Sequence, residues 1–257
     1  LEPTGISAVL DWEVAHIGDP MRDLGWICTN SWTFGGDQPV GGFGSMEDLF
    51  AGYESVAGVP VEPDHVRFWQ VFGSFWWAIG CLGMAEHYRT GPDKTVERPA
   101  IGRRTSESQV DCVNLLIPGP FSLLEAEPDD LADMPTVPEL VQSVRDFLRD
   151  DVMNETAGRT QFLARVGANS LDIALRDLKV GATHRREEQA RLSSLLNQSG
   201  SLEQLRRDLS CRIRERAIPL DSSELKAHLR QTVTNQVAID QPKYSGLKQA
   251  LAYLGAS

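Results

Sequence analysis

Cysteine is scarce in this chain of 257 residues. Its few cysteines stand far apart in the sequence, and no pair has the Cys-x-x-Cys spacing that zinc sites favour. A disulfide framework needs a denser set of cysteines, usually in a short secreted chain. The sequence therefore indicates neither a zinc site nor disulfides, and we expect reduced thiols in a cytoplasmic protein at Cys28, Cys81, Cys112 and Cys211.

Basic residues are scarce in the first half of the chain. Residues 1–132 hold 20 acidic and 7 basic side chains, whereas residues 133–257 hold 16 acidic and 18 basic ones. Because binding to a phosphate backbone requires Lys and Arg, this balance disfavours nucleic acid as a partner. All six tryptophans also lie in the first half. The break in charge and in aromatic content predicts two domains of different origin.

A hydrophobic run long enough to cross a membrane is also missing. The longest apolar run, residues 71–85, has 15 residues and falls short of the ~20 that a membrane-spanning helix needs. We expect no membrane partner and interpret residues 64–88 as a buried core helix. An aromatic wall for a substrate, formed by Trp76 and Trp77, is the alternative interpretation.

Turn and cap residues divide the first half into short elements. We expect a strand at residues 6–10, a helix from Pro20 to Asn30, a glycine-rich loop at 35–44, and a helix over 101–116. Ser45 is a favourable N-cap and Gly58 a favourable C-terminal residue, so they predict a helix from Met46 to Val56.

The second half has the apolar spacing of helices only. A proline-rich acidic segment precedes it, so we predict domains at 1–120 and 135–257 joined by a linker at 121–134. Thr136 and Glu139 form a capping-box pattern. Leucine, isoleucine and valine then recur every three or four residues, which predicts an antiparallel helical bundle, with helices that include 157–179 and 186–197.

One acidic segment of the first half has the residues of a metal-dependent site. In VLDWEVAHIGDPMRDLGW, residues 9–26, Asp11 follows the apolar pair at the end of the predicted strand. Asp19 lies within Gly-Asp-Pro, and Asp23 follows four residues later. Mg²⁺ prefers oxygen ligands and is usually held by one or two carboxylates plus substrate phosphates. Asp11 is the candidate ligand.

This segment resembles the aminoglycoside phosphotransferase-like kinase family, which includes choline kinase-like and acyl-CoA dehydrogenase-associated members. The matching residues are Leu10, Asp11, Trp12, Gly18, Asp19, Pro20, Asp23 and Leu24. The resemblance implies the C-terminal lobe of a protein-kinase-like fold, N-terminally truncated, and hence a mostly α protein when the helical bundle is included. The looser similarity extends to about residue 120.

The resemblance also implies the roles of the acidic residues. Asp11 would chelate Mg²⁺ on the phosphates of ATP or GTP; the alternative is a carboxylate that caps a turn. Glu13 would contact the second metal or the acceptor; the alternative is a carboxylate on the surface or one that supports the site indirectly. Asp23 would be a buried anchor of the catalytic loop. Asp19 would cap the helix that follows and support the same loop. Since aminoglycoside-modifying members often carry glycine at the position of Glu13, the acceptor is expected to be another small molecule with a hydroxyl group.

The family's catalytic loop, His-Gly-Asp-x-x-x-x-Asn, is not found in this sequence. We expect the catalytic base and the N-terminal kinase lobe to lie upstream of Leu1, so that no catalytic base belongs to this chain and the chain alone is inactive. His16 is expected to serve in packing or hydrogen bonding. The alternative to the enzyme is a non-catalytic binding or scaffold protein that retains a degenerate kinase lobe.

The second half resembles a small helical bacterial domain of unknown function that accompanies phosphotransferase-like kinases. The similar segments are MPTVPELVQSVRDFLRDDV, AGRTQFLARVGANSL and IDQPKYSGL. In the second of these, Arg165 and Asn169 share a helix face and, with Arg159, could bind an anion. The alternative is that these arginines are solvated or paired with Asp172.

Overall fold

The computed structural model describes residues 5, 8–126 and 135–255, and most of these residues are α-helical. The mostly α fold class predicted from the sequence is confirmed. The described ranges contain two isolated β-bridges in the glycine-rich loop and no β-strand. The strand predicted at residues 6–10 is not found at 8–10, and residues 6 and 7 lie outside the described ranges.

The described part of the first half contains five α-helices. They are α1 (Met21–Ile27), α2 (Met46–Ala57), α3 (Pro63–Thr90), α4 (Glu97–Arg103) and α5 (Thr105–Leu116). Two 3₁₀ turns accompany α1, Trp12–Val14 before it and Asn30–Trp32 after it. The helix expected over 101–116 is therefore divided between α4 and α5.

The bounds of α2 confirm the prediction from its end residues. The Ser45 hydroxyl accepts a hydrogen bond from the Asp48 backbone N–H, which satisfies one of the free donors of the first turn. Gly58 ends the helix with φ 69°, a left-handed conformation that costs glycine little.

Helix α3 is the longest element of the first half, with 28 residues. One face packs on α1, α4 and α5, and it buries Val66, Ser74 and Cys81. The opposite face carries an apolar stripe, the α3 stripe, in which every side chain is more than half exposed: Phe68, Phe75, Ile79 and Leu82. The helix was correctly predicted, but the expectation that it is buried was wrong for this face.

The second half is a helical bundle. Its helices are α6 (Val137–Asp146), α7 (Met153–Glu155), α8 (Gly158–Arg176), α9 (Ala182–Leu196), α10 (Leu202–Arg214), α11 (Ser223–Asp240) and α12 (Ser245–Gly255). The capping box predicted at Thr136 and Glu139 is present in both directions. A second capping box, formed by Ser201 and Gln204, starts α10.

Two π-helical turns connect helices without a break. Phe147–Val152 joins α6 to α7, and Asp177–Gly181 joins α8 to α9. The sequence predicted separate helices at 157–179 and 186–197. The structure instead places one continuous helical path between Gly158 and Leu196.

Among the residues that the structure describes, three clusters of buried apolar side chains stabilise the fold. One lies in the first half around Leu24 and Val66, and one in the bundle around Leu192 and Leu205. The third is shared by the two halves. It joins Val110 of α5 and Phe121 to side chains of α11 and α12, namely Val237, Leu247 and Ala250.

The segment predicted as a linker is described up to residue 126, and residues 127–134 lie outside the described ranges. Phe121 is buried, and the Ser122 backbone N–H donates to the side-chain oxygen of Gln231 at 2.8 Å. The division at 121–134 stays a prediction, but the start of that segment packs on the bundle. Among the described residues, no helix combines the length and apolar character that crossing a membrane demands.

Candidate active site

Asp11 lies immediately before the 3₁₀ turn Trp12–Val14. Its backbone is left-handed, with φ 63° and ψ 37°, a conformation that Asp adopts more readily than most L-residues. The side chain is exposed, and its carboxylate has no hydrogen-bond partner among the described residues. Asp11 therefore presents a free carboxylate at the start of a turn.

Asp19 uses both of its carboxylate oxygens within the protein. Oδ1 accepts from the Met21 backbone N–H at 2.9 Å, at the start of α1. Oδ2 accepts from Trp69 Nε1 at 3.0 Å and lies 2.7 Å from Nε2 of His65. The Met21 hydrogen bond lowers the pKa of Asp19 most; partial burial opposes it, and Trp69 and His65 lower it further. Asp19 thus ties the start of α1 to α3.

Arg22 and His16 form a surface pair beside this tie. Because a guanidinium group can only donate, Nε2 of His16 accepts from Arg22 at 2.5 Å, and Nδ1 then donates to the Val14 carbonyl at 3.2 Å. The Arg22 guanidinium also lies over the rings of Trp69 and Phe72, at 5.8 and 5.6 Å. Both nitrogens of His16 are therefore engaged in local contacts.

Asp23 is placed differently from the prediction, and the side chain of Glu13 is not described. Asp23 is exposed, and its carboxylate has no partner among the described residues, so the burial that the resemblance implies is not found. Its support of a catalytic loop stays a prediction. The side chain of Glu13 lies outside what the structure describes, and its role also stays a prediction.

The described carboxylates do not form a metal site by themselves. No group of three or more His, Cys, Asp or Glu side chains in the described ranges could hold a metal ion. Asp19 is occupied, whereas Asp11 before α1 and Asp23 in its first turn each offer free oxygens among the described residues. Asp11 consequently fits a metal only as one ligand among several.

Tryptophans from α1, the second 3₁₀ turn and α3 form an aromatic cluster behind the candidate site. The ring of Trp26 lies 5.4 Å from that of Trp76, and the ring of Trp32 lies 5.0 Å from that of Trp77. The Arg104 guanidinium lies 5.9 Å from the Trp77 ring. Trp76 and Trp77 therefore pack α1 and its following turn against α3, but neither is buried, and Trp76 stays 40% exposed.

The three candidate anion-binding residues of the bundle do not form a site. Arg159 pairs with Glu97 of α4, with Nη1 3.1 Å from Oε1. Arg165 and Asn169 are exposed and have no partner among the described residues. Asp172, the other predicted partner, is paired with different arginines: Arg145 at 3.1 Å and Arg149 at 2.8 Å.

Sequence reasoning missed a buried polar network between α5 and α12. Asp111 is 2% exposed; it accepts a hydrogen bond from Asn30 at 2.8 Å and is hydrogen-bonded to Tyr244 at 2.6 Å. Burial raises the pKa of Asp111 to about 7. The only signal in the sequence was an aspartate between the apolar positions Val110 and Val113 of an amphipathic helix.

Comparison with known proteins finds one family for each half. Residues 1–59 match the family described as "Phosphotransferase enzyme family", and residues 154–244 match the one described as "Domain of unknown function (DUF6285)". No curated protein and no solved structure matches the chain. The first match includes Asp11, Asp19 and Asp23. The chain is therefore similar to phosphotransferases in the region of the candidate site, and to a domain of unassigned function in the bundle.

Proposed function

We propose that this chain is part of a kinase-like phosphotransferase that moves the γ-phosphoryl group of ATP or GTP to a hydroxyl of a small metabolite. The observation that carries this proposal is the match of residues 1–59 to the phosphotransferase family, in a segment where Asp11 presents an exposed, unpartnered carboxylate. Catalysis of this transfer depends on positioning and on electrostatic stabilisation of the phosphoryl oxygens.

Asp11 would be one ligand of Mg²⁺, which neutralises charge on the transferred phosphoryl group when bound. The remaining ligands would come from the nucleotide phosphates and from residues other than those that the structure describes here. Asp19 serves differently. Because its oxygens hold Met21, Trp69 and His65, it fixes the start of α1 beside the Asp11 turn.

The sequence lacks the His-Gly-Asp-x-x-x-x-Asn loop that holds the catalytic base in the family it resembles. We therefore expect purified residues 1–257 to show no transfer of phosphate from ATP, with or without added alcohols. ATP turnover by this chain that is abolished by Asp11→Ala would contradict that expectation. The role of Asp11 in the transfer is to be tested in the full-length gene product.

The decisive experiment compares two aspartates in that full-length product. Asp11→Asn should lower kcat by about 10² to 10³, the range observed when one electrostatic element of a transition state is removed. Asp37→Asn is the matched control, because Asp37 is also exposed and has no partner among the described residues. ATP turnover would be measured at saturating Mg²⁺ against a panel of small alcohols and amino alcohols.

Two outcomes would argue against the proposal. Equal activity of the Asp11→Asn and wild-type proteins would remove the metal role of Asp11. A full-length product that binds small hydroxyl compounds without any ATP turnover would indicate the non-catalytic binding protein instead.

A further inference from the structure

A buried polar network links three separate parts of the chain. The Asp111 carboxylate lies at its centre, on α5. Asn30, in the 3₁₀ turn after α1, donates from Nδ2 to Oδ1 at 2.8 Å. The hydroxyl of Tyr244, which directly precedes α12, is hydrogen-bonded to Oδ2 at 2.6 Å. One carboxyl group therefore contacts both the phosphotransferase-like region and the bundle.

Further contacts at the start of α12 strengthen the same junction. The Ser245 hydroxyl donates to Oδ1 of Asn30 at 2.9 Å, and Nδ2 of Asn114 donates to the carbonyl of Gly246 at 2.8 Å. A Cβ atom on Gly246 would lie 2.5 Å from Oδ1 of Asp111, so only glycine allows this approach. The start of α12 is thus fitted closely around the carboxyl group.

No cation among the described residues contacts Asp111 directly, since nearby Arg103 and Arg104 pair with Asp240 and Glu107. No ion pair among the described residues includes it, and its partners are the neutral groups of Asn30 and Tyr244. Burial is the largest cause of its raised pKa of about 7; the Tyr244 and Asn30 hydrogen bonds lower it, and nearby Glu107 raises it. The titratable and charged groups around the network, on α3, α4, α5, α11 and before α12, are Cys81, Arg103, Arg104, Glu107, Cys112, Asp240 and Tyr244.

We propose that Asp111 is a proton-responsive joint, in which release of α12 from α5 is coupled to loss of the Asp111 proton. In the closed form Oδ2 of the buried carboxyl group carries the proton and donates it in a hydrogen bond to the Tyr244 oxygen, whose own hydroxyl hydrogen then points to Ser31. No cation among the described residues contacts the carboxyl group directly. When α12 separates, the group meets water and ionises, and the proton passes to the solvent. This inference is independent of the proposed phosphotransferase activity.

The direction of the pH effect follows from the two ionisation states. The closed form binds a proton up to about pH 7, whereas the open form loses it near the ordinary value of 3.8. The closed form is therefore favoured at acid pH and loses this advantage as pH rises between those values. Opening should increase by up to about tenfold per pH unit in that window and level off above about pH 7.

Carboxyl ¹³C NMR of the whole chain tests the titration directly, with Asp111→Asn used to assign the signal. We expect a midpoint near pH 7 in the wild-type protein. Tyr244→Phe should move this midpoint upward, because the tyrosine hydroxyl stabilises the ionised carboxylate. A midpoint below about pH 5, close to that of an ordinary aspartate, would overturn the proposal.

Amide hydrogen exchange of α12 between about pH 5 and about pH 8 tests the coupling, after correction for the intrinsic exchange rate. Opening should rise with pH in the wild-type protein and stay nearly flat in Asp111→Asn, whose amide cannot ionise. Asp172→Asn is the control, because arginines lower the pKa of Asp172 and its titration lies at more acid pH. An Asp111→Asn protein that keeps the wild-type pH dependence would overturn the coupling.

Discussion

The two halves of the molecule leave apolar side chains exposed in different places. The first half leaves the α3 stripe exposed, together with Leu10, Trp12 and Ile17 near the candidate site. The bundle buries leucines around Leu192 and Leu205, but it leaves a comparable apolar stripe exposed on α6 and the turn after it, formed by Val137, Leu140, Val144 and Phe147. Contiguous exposed apolar surface marks contact sites in soluble proteins. The first half therefore exposes apolar surface near the candidate site, whereas the bundle exposes it at α6, away from its leucine core.

The charged groups also differ between the halves. In the bundle, Glu188 is almost completely buried and receives two hydrogen bonds from Arg206, at 2.7 and 2.6 Å. In the first half, Asp11 and Asp23 are exposed and unpartnered among the described residues. The paired charges of the bundle serve its own structure, while free carboxylates are available to bind something else.

Separating the halves should have the largest effect. We expect residues 135–257 to remain soluble and helical through the Leu192 cluster, and residues 1–120 to aggregate, because separation would add the uncovered Val110 surface to the α3 stripe, which is exposed already. Circular dichroism and size-exclusion chromatography of both fragments measure this. The expectation that residues 135–257 fold alone would be contradicted if this fragment were disordered by itself and became helical only when residues 1–120 were added.

Truncating a core leucine of the bundle should have the next largest effect. Leu205 is fully buried, so Leu205→Ala should lower the free energy of unfolding by about 2–5 kcal/mol. Leu220→Ala is the control at an exposed leucine and should change it by less than about 0.5 kcal/mol. Urea unfolding followed by circular dichroism gives both values. Equal changes in the free energy of unfolding for the two substitutions would show that Leu205 does not lie in a closed core.

Breaking an exposed contact between the halves should have the smallest effect. Arg159 of α8 pairs with Glu97 of α4 at the surface. Such pairs contribute about 0.2–1 kcal/mol, and salt screens them. Arg159→Ala should therefore shift the urea midpoint slightly at low salt and hardly at high salt. A loss as large as that of Leu205→Ala would indicate that this pair, and not the shared core, joins the halves.

Local signals in the sequence predicted the helices well. The capping residues Thr136 and Ser45 gave correct starts for α6 and α2, because a cap depends on residues only three positions apart. The recurrence of apolar residues every three or four positions correctly predicted the helices of the bundle. Helix α12 was missed, since its 11 residues are short and polar residues interrupt them.

Features that depend on distant contacts could not be predicted. Nothing local indicates that Asp111 is buried, because its partners lie 81 and 133 residues away. The exposure of one face of α3 could not be predicted either. An apolar helix is interpreted as a buried element until the elements that pack against it are known. For the candidate site, the motif identified Asp11. Its left-handed backbone, and the contacts of Asp19 with Met21, Trp69 and His65, could be seen only in the structure.

The π-helical turn Asp177–Gly181 is a place where the chain could lose a residue without disturbing the bundle. A π turn has one residue more than an α turn. The extra residue is accommodated within the turn, so the helix that follows presents the same face to its neighbours. Losing one residue here would convert the turn to regular α-helix and leave Leu192 and Leu196 directed at α10 and α11. The same loss in the middle of α9 would rotate those leucines by about 100°. Insertions and deletions in related bundles should therefore collect at this turn.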